Sequence, residues 1–235
     1  MPGVAKRKTA RKPHRESVTA RTVGGLLGVL NRDAPTWNAP ILSLVAAQED
    51  DPFLTLIGCI LSLRTKDDVT AGAVRRLFAR ARRPEQVLRL TPRTIEKLIY
   101  PVGFYRTKAR VIRKIASDLV ERFGGAVPDT IAALLTLKGV GRKTANLVVT
   151  EAFGKPGICV DTHVHRISNR WGLVRTMTPD KTEMALRKIL PRRYWIDYNG
   201  LLVAFGQTLC QPVSPWCSRC PIEGACPRVG VTYSR

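Results

Sequence analysis

The chain predicts an all-α fold. No stretch sustains the apolar–polar alternation of a half-buried strand, and helix-opening signals recur along it. One segment, Phe53 to Leu63, is apolar on every side, as a helix at the centre of a core must be. The openings are Asp50-Asp51-Pro52 and Thr91-Pro92, an acid or threonine ahead of a proline at the first turn. At 235 residues and 44% hydrophobic content the chain can bury a real core, and no apolar run reaches membrane-spanning length.

Taken in order, residues 1–17 mix Lys and Arg with Pro, Thr and Ala and read as a disordered basic arm. The arm lacks the apolar stretch of a secretory signal. It is either a tether along a polyanion or a solvated tail. A helix weakened by three glycines follows at about 19–31, then a proline-punctuated stretch with a short apolar piece, Ile41 to Ala47. Helices are expected at 66–80 and 92–99, and at 108–123, where Arg106, Lys108, Arg110, Arg113 and Lys114 form a basic face. Gly124-Gly125 ends that helix, and another starts between Pro128 and Leu135.

Charge narrows the partner. There are 39 Lys+Arg against 18 Asp+Glu, a net +21. Residues 1–22 carry seven basic residues and one acid, +6, so +15 remains on the body. A basic body of this size argues for a polyanion, of which nucleic acid is the commonest.

The stretch Leu137-Lys138-Gly139-Val140-Gly141-Arg142-Lys143-Thr144-Ala145-Asn146 carries the sharpest signal. Two glycines flanking one apolar residue allow a tight turn whose N–H groups face outward. A helix beginning at about Arg142 adds its unpaired N–H groups and the positive end of its dipole. Together they make a phosphate site that needs no side chains. Lys143 sits in the first turn, where a cation is poorly placed, and its neighbours Lys138 and Arg142 add to that. The setting favours the neutral, nucleophilic amine.

Val160-Asp161-Thr162-His163 follows. Asp161 precedes a helical segment and reads as its N-cap, a carboxylate that accepts backbone N–H bonds. Its alternative role is simply to hold the helix, worth about 1 kcal/mol. His163 and His165 lie two apart, so they face different ways and make a poor metal pair; they bind phosphate or pack.

Six cysteines are present, four of them as Cys210-x6-Cys217-x2-Cys220-x5-Cys226. Four thiols within so short a span of a basic intracellular protein read as a metal site and not as disulfides, with zinc the generic occupant of a C-x2-C pair. Cys59 and Cys159 stand alone and read as buried small hydrophobes.

The Gly-Val-Gly-Arg-Lys-Thr-Ala-Asn run, the Val-Asp-Thr-His run and the four cysteines together resemble the helix–hairpin–helix DNA glycosylases. Among these the likeness is to the endonuclease III-like glycosylases and AP lyases, and extends from about residue 53 to 227. The resemblance implies that Lys143 is a Schiff-base nucleophile and Asp161 its partner. It implies that Cys210, Cys217, Cys220 and Cys226 hold a 4Fe–4S cluster, a structural element. It further implies double-stranded DNA with damaged bases or abasic sites as partner, a monomer, and a DNA-associated intracellular location. DNA contacts would come from Arg64, Phe104, Lys138, Gly139, Val140, Gly141, Arg142 and His163. Phe104 would be a wedge in the base stack. Arg64 stands where the family usually has the glutamine that fills the hole left by the flipped base.

The implied architecture is two helical lobes with a cleft between. One is a six-helix barrel at 52–155, with the helix–hairpin–helix at about 134–153. The other is discontinuous, 18–51 with 156–235, and carries the cluster. The implied activity is removal of oxidised pyrimidines with strand cleavage by β-elimination. Arg64 opens a second possibility, a mismatch or altered-specificity glycosylase. A non-catalytic DNA-binding module is a third.

Overall fold

Polar N-caps and first-turn prolines fix where the helices begin. In the computed structural model, which describes residues 16–37 and 51–235, every regular element is helical. The expected arm lies outside the described residues except for its last two positions, and the apolar piece at 41–47 lies outside them entirely. Eleven α-helices are seen among the described residues. The first, α1 (Val23–Asp33), starts later than expected, because Thr19 and Thr22 tie a turn ahead of it, Thr19 N–H donating to Thr22 Oγ1 at 2.9 Å. Next come α2 (Pro52–Ser62), α3 (Asp67–Phe78) and α4 (Pro84–Arg89), followed by α5 (Pro92–Ile99) and α6 (Tyr105–Phe123). Asp51 caps α2, accepting from Phe53 N at 2.8 Å, and Thr91 caps α5, accepting from Thr94 N at 3.1 Å.

The remaining helices are α7 (Ile131–Leu134), α8 (Arg142–Phe153), α9 (Thr162–Arg170), α10 (Pro179–Ile189) and α11 (Asp197–Thr208). Three expectations shift. The short helix α4 is additional, closed by Gln86 Oε1 accepting from Arg83 N at 3.1 Å. Helix α6 begins at Tyr105, three residues early, and α7 is a single turn behind the Thr130 cap. No described helix is long and apolar enough to cross a membrane.

Two hydrophobic cores form. The first is built around α2, whose residues 53–61 are all buried, and gathers apolar side chains from α3, α4, α5, α6 and α8. The second joins α1 to α9, α10 and α11 and to the cysteine-bearing C-terminal segment. The N-terminus returns to it directly, Val18 N donating to Trp171 O at 2.8 Å.

One cation of the expected basic face points inward. Lys108 is buried, and its ammonium donates to Leu61 O at 2.8 Å, Leu63 O at 2.5 Å and Thr65 Oγ1 at 3.1 Å. Three donors meet three acceptors just past the end of α2, where carbonyls have no helical partner. Burial pushes this amine down to about 8. Arg106 and Arg110 stay exposed.

Glu183 of α10 ties the two cores together. Its side chain is 3% exposed, and it takes Arg142 of α8 bidentately at 2.8 and 2.6 Å, with Arg187 Nε at 2.9 Å. Burial alone would raise the carboxyl, but the hydrogen bonds from Arg142 and Arg187 outweigh it and hold Glu183 below the usual carboxylate value. A depressed carboxyl stabilises the fold fully above its unfolded value of 4.5 and loses that contribution as pH falls below it. Glu183→Gln is therefore expected to cost about 2 kcal/mol at neutral pH, tempered because both arginines are partly exposed. Denaturant unfolding from pH 7 down to 3 should show a shallower acid loss for the variant than for the parent.

Candidate active site

The hairpin is anchored from below and open above. Leu137 and Val140 are buried in the first core, and Val140 N closes the turn on Leu137 O at 3.1 Å. Val140 thus serves as an anchor, its side chain turned away from solvent. Gly139 has φ +90°, and a Cβ there would lie 2.6 Å from Val111 Cγ1, so both conformation and space demand glycine. Gly141 differs. It is the N-cap of α8 with ordinary extended angles, φ −94° and ψ 176°, and a Cβ there would meet nothing within 4 Å. Lys138, Gly139, Gly141 and Lys143 are all exposed around the mouth.

The Arg142 side chain is committed to Glu183, which leaves its backbone N–H in the first turn of α8 as its contribution to the mouth. The Lys143 ammonium makes no hydrogen bond or ion pair among the described residues. Beneath it lie Cys59 and Cys159, both buried, and Cys159 Sγ approaches Lys143 O at 3.6 Å. Burial pushes the Cys59 thiol up to about 12 and Cys159 well above its usual value, so both are inert packing groups.

The link from α8 to α9 is held by buried amides. Asn146 Oδ1 accepts from Ile158 N at 3.0 Å and from Arg187 Nη2 at 2.9 Å, and Asn199 Nδ2 donates to Cys159 O at 3.2 Å. That fixes where Asp161 emerges. As expected it caps α9, its Oδ1 accepting from His163 N and Val164 N, both at 2.9 Å. Its Oδ2 makes no hydrogen bond among the described residues. Asp161 and Lys143 share a neighbourhood, since both act electrostatically on His163 and on Cys159.

His163 packs. Its Nδ1 lies 3.1 Å from Arg166 Nη2, and a Cβ on Gly206 would come within 2.4 Å of it. Burial lowers its pKa, an effect that outweighs the opposing pull of Asp161. His165 faces elsewhere, its Nδ1 2.6 Å from Thr182 Oγ1.

Arg64 and Phe104 sit on two loops of the first core, after α2 and before α6. Both are exposed, both are left-handed at φ 54° and 58°, and the Arg64 guanidinium lies 5.0 Å over the Phe104 ring.

Cys210, Cys217, Cys220 and Cys226 line one cavity together with Trp171, Phe205, Trp216 and Ile222. None of the four is in a disulfide bond. Burial pushes Cys220 up to about 12 and raises Cys210 and Cys226. Arg170 Nη1 donates to Cys210 Sγ at 3.4 Å and to Gln211 O at 2.6 Å, and Arg166 Nη2 donates to Cys210 O at 2.8 Å. Among the described residues, no three Cys, His, Asp or Glu side chains converge closely enough to chelate a single metal ion.

Comparison with known proteins identifies the family. Residues 57–192 match the HhH-GPD superfamily of base excision DNA repair proteins. The chain belongs to that superfamily. Within it, the chain is endonuclease III-like. It is 48% identical over 179 residues to endonuclease III of Thermotoga maritima, covering 76% of this chain and 84% of that protein. It is 46% identical over 178 residues to endonuclease III-like protein 1 of Mus musculus, spanning 74% of this chain and 59% of the mouse protein. A solved structure of a trapped endonuclease III–DNA covalent intermediate superposes with TM-score 0.79 at 35% identity, covering 89% of this chain and 96% of that one. The all-helical reading and the endonuclease III resemblance both hold.

Asn146, Glu183, Arg187 and Lys108 organise this HhH-GPD site, and motif reading alone does not find them. Their partners lie 12 to 47 residues away in sequence. The two hairpin glycines are separable by experiment. Gly139→Ala should lower stability by about 1–3 kcal/mol through strain and the Val111 clash. Gly141→Ser should leave the melting temperature unchanged or slightly raised, because serine is a good N-cap at those angles.

Proposed function

We propose that this chain is a bifunctional DNA N-glycosylase and AP lyase that removes oxidised pyrimidines from double-stranded DNA. In this reading Lys143 is the nucleophile and Asp161 its acid–base partner. The observation that carries it is an unpartnered amine at the mouth of a glycine hairpin and an N-cap carboxylate with one oxygen left free, both close enough to Cys159 and His163 to act on them electrostatically.

The chemistry follows from those two groups. Lys138 and the outward N–H groups of Gly139, Gly141 and the first turn of α8 take a DNA phosphate. The damaged nucleotide leaves the stack at a cost of a few kcal/mol, offset by those contacts and by insertion of Arg64 and Phe104. The Lys143 amine attacks the anomeric carbon, the C–N glycosidic bond breaks, and the base departs. Asp161 stabilises the positive charge that builds on the sugar and takes the proton released from the attacking amine. The sugar ring opens to a Schiff base on Lys143. Loss of a C2′ proton then expels the 3′ phosphate, and water frees the lysine. A glycosylase that uses water alone has no need of this amine.

The four cysteines would hold a 4Fe–4S cluster. Four half-buried thiols around one cavity, with arginine donors on the Cys210 segment, suit a cluster that takes one thiolate per iron. When bound, the cluster would supply a structural cross-link, with Cys210, Cys217, Cys220 and Cys226 holding the C-terminal segment against α9 and α11. The two cores support a division into a barrel at 52–155 and a discontinuous cluster-bearing lobe of 18–51 with 156–235. The enzyme acts as a monomer on DNA inside the cell.

Borohydride trapping tests the central claim on duplexes bearing an abasic site or an oxidised thymine. The parent should give a covalent adduct on both, and Lys143→Gln on neither while still binding DNA. An adduct that survives Lys143→Gln would refute the assignment. Gly141→Ser adds a check on the phosphate site, with DNA affinity reduced and stability unchanged. For the cysteines, purified protein should be brown, with broad visible charge-transfer absorption and about four irons per chain. A colourless protein with one zinc per chain would overturn the cluster.

A further inference from the structure

Helix α10 is buried on one face and uncovered on another. Thr182, Glu183 and Leu186 turn inward, while Lys181, Met184, Ala185 and Lys188, spaced i, i+3, i+4 and i+7, share a neighbouring face. Met184 is 51% exposed there. That face is one wall of a cavity of about 650 Å³, to which the loop after α9 contributes Leu173, Val174 and Arg175. Arg142 also lines it, its Nη2 3.9 Å from Met184 Sδ. The walls are set before any ligand arrives. Leu173 N donates to Ser168 O at 3.1 Å and Thr176 N to Asn169 Oδ1 at 2.9 Å, both on α9, and Thr176 Oγ1 meets Thr182 Oγ1 on α10.

The lining separates by chemistry. Its floor is apolar, with Leu173 and Val174 buried and Ala185 and Ile189 half-buried. Its rim is cationic: Arg175, Lys181 and Lys188 are exposed and make no hydrogen bond or ion pair among the described residues. Asp180 is the one acid of the lining, and Arg142 is already matched by Glu183. No polar residue of the lining is buried, so nothing there would orient a small polar ligand. A nucleic-acid backbone would pair with the cations and leave the apolar floor wet. A peptide with carboxylates around an apolar side chain satisfies floor and rim together. The α10 wall runs from Asp180 to Ile189, about 14 Å, the length of roughly four extended residues.

We infer that the groove between α10 and the loop after α9 is a docking site for an acidic segment of a partner protein. An apolar side chain of that segment fills the floor against Val174, Met184 and Ile189, and its carboxylates meet Arg175, Lys181 and Lys188. Methionine suits this role, since its unbranched thioether adapts to the side chain that arrives. Arg142 belongs both to the lining and to the first turn of α8, so a docked partner stands beside the hairpin.

The test is fluorescence anisotropy of the full chain with a labelled peptide that holds a central Leu-Phe pair between runs of Asp and Glu. The peptide should bind, and exchanging Leu-Phe for Ala-Ala should weaken it by about tenfold or more. Lys181→Glu combined with Lys188→Glu should weaken it by about tenfold and flatten its salt dependence. Met184→Gln should weaken it by about threefold with the melting temperature intact, and leave affinity for undamaged duplex DNA unchanged. Equal binding of the Leu-Phe and Ala-Ala peptides overturns the docking site, because attraction to net charge alone would explain it. Absence of peptide binding overturns it too, as does binding that none of the substitutions alters. A Met184→Gln variant that loses duplex affinity in step with peptide affinity assigns the groove to DNA and overturns the peptide partner.

Discussion

A single buried carboxylate sets the geometry on which the site depends. Glu183 lies in the second core's helix α10, and its two arginine partners reach it from α8 and from its own next turn. Because Arg142 is also the first residue of α8, the ion pair fixes the N-terminus of the helix that carries Lys143. Arg187 extends the grip, donating to Asn146, whose carbonyl oxygen also takes the Ile158 N–H ahead of Asp161. Lys143 and Asp161, on helices anchored in different cores, are thus referred to one set of hydrogen bonds. Breaking such a pair leaves uncompensated charge in a low-dielectric setting, so its geometry is steeply defined.

The same logic runs through α9 toward the cysteines. Asp161 caps its start, and Arg166 and Arg170 on later turns donate to the Cys210 carbonyl, the Cys210 sulfur and the Gln211 carbonyl. The C-terminal segment is therefore fastened to the helix that presents the carboxylate. A segment rich in turns and poor in regular hydrogen bonds needs cross-links to stay packed, and these arginine bonds to its first turn supply some.

Local signals were legible wherever cause and effect lie close in sequence. The turn at Gly139-Val140-Gly141, the Asp161 cap, the all-apolar α2 and the inert Cys59 and Cys159 all follow from neighbours within a few positions or from residue type. Lys108 and Glu183 were not legible. Each sits in a polar-looking helix where a charged residue normally faces water, and each is pulled inward by groups more than 40 positions distant. Arg142 reads as a phosphate contact from its place in the motif, yet its side chain is taken by Glu183. Tertiary partners override the local pattern in all three cases.

Those three residues also bear on the meaning of net charge. A body charge of +15 suggests a surface coated with cations, but several cations are spent internally: Lys108 on α2 carbonyls, Arg142 and Arg187 on Glu183, and Arg166 and Arg170 on the Cys210 segment. Of the cations that the hairpin segment itself carries, Lys138 and Lys143 stay exposed, with no hydrogen bond or ion pair among the described residues. Under the function proposed above, a phosphate approaching there would meet backbone N–H groups and the two exposed ammonium groups, a site that orients a backbone more than it grips it, since exposed charges are screened by salt while the hairpin's N–H groups stay aimed.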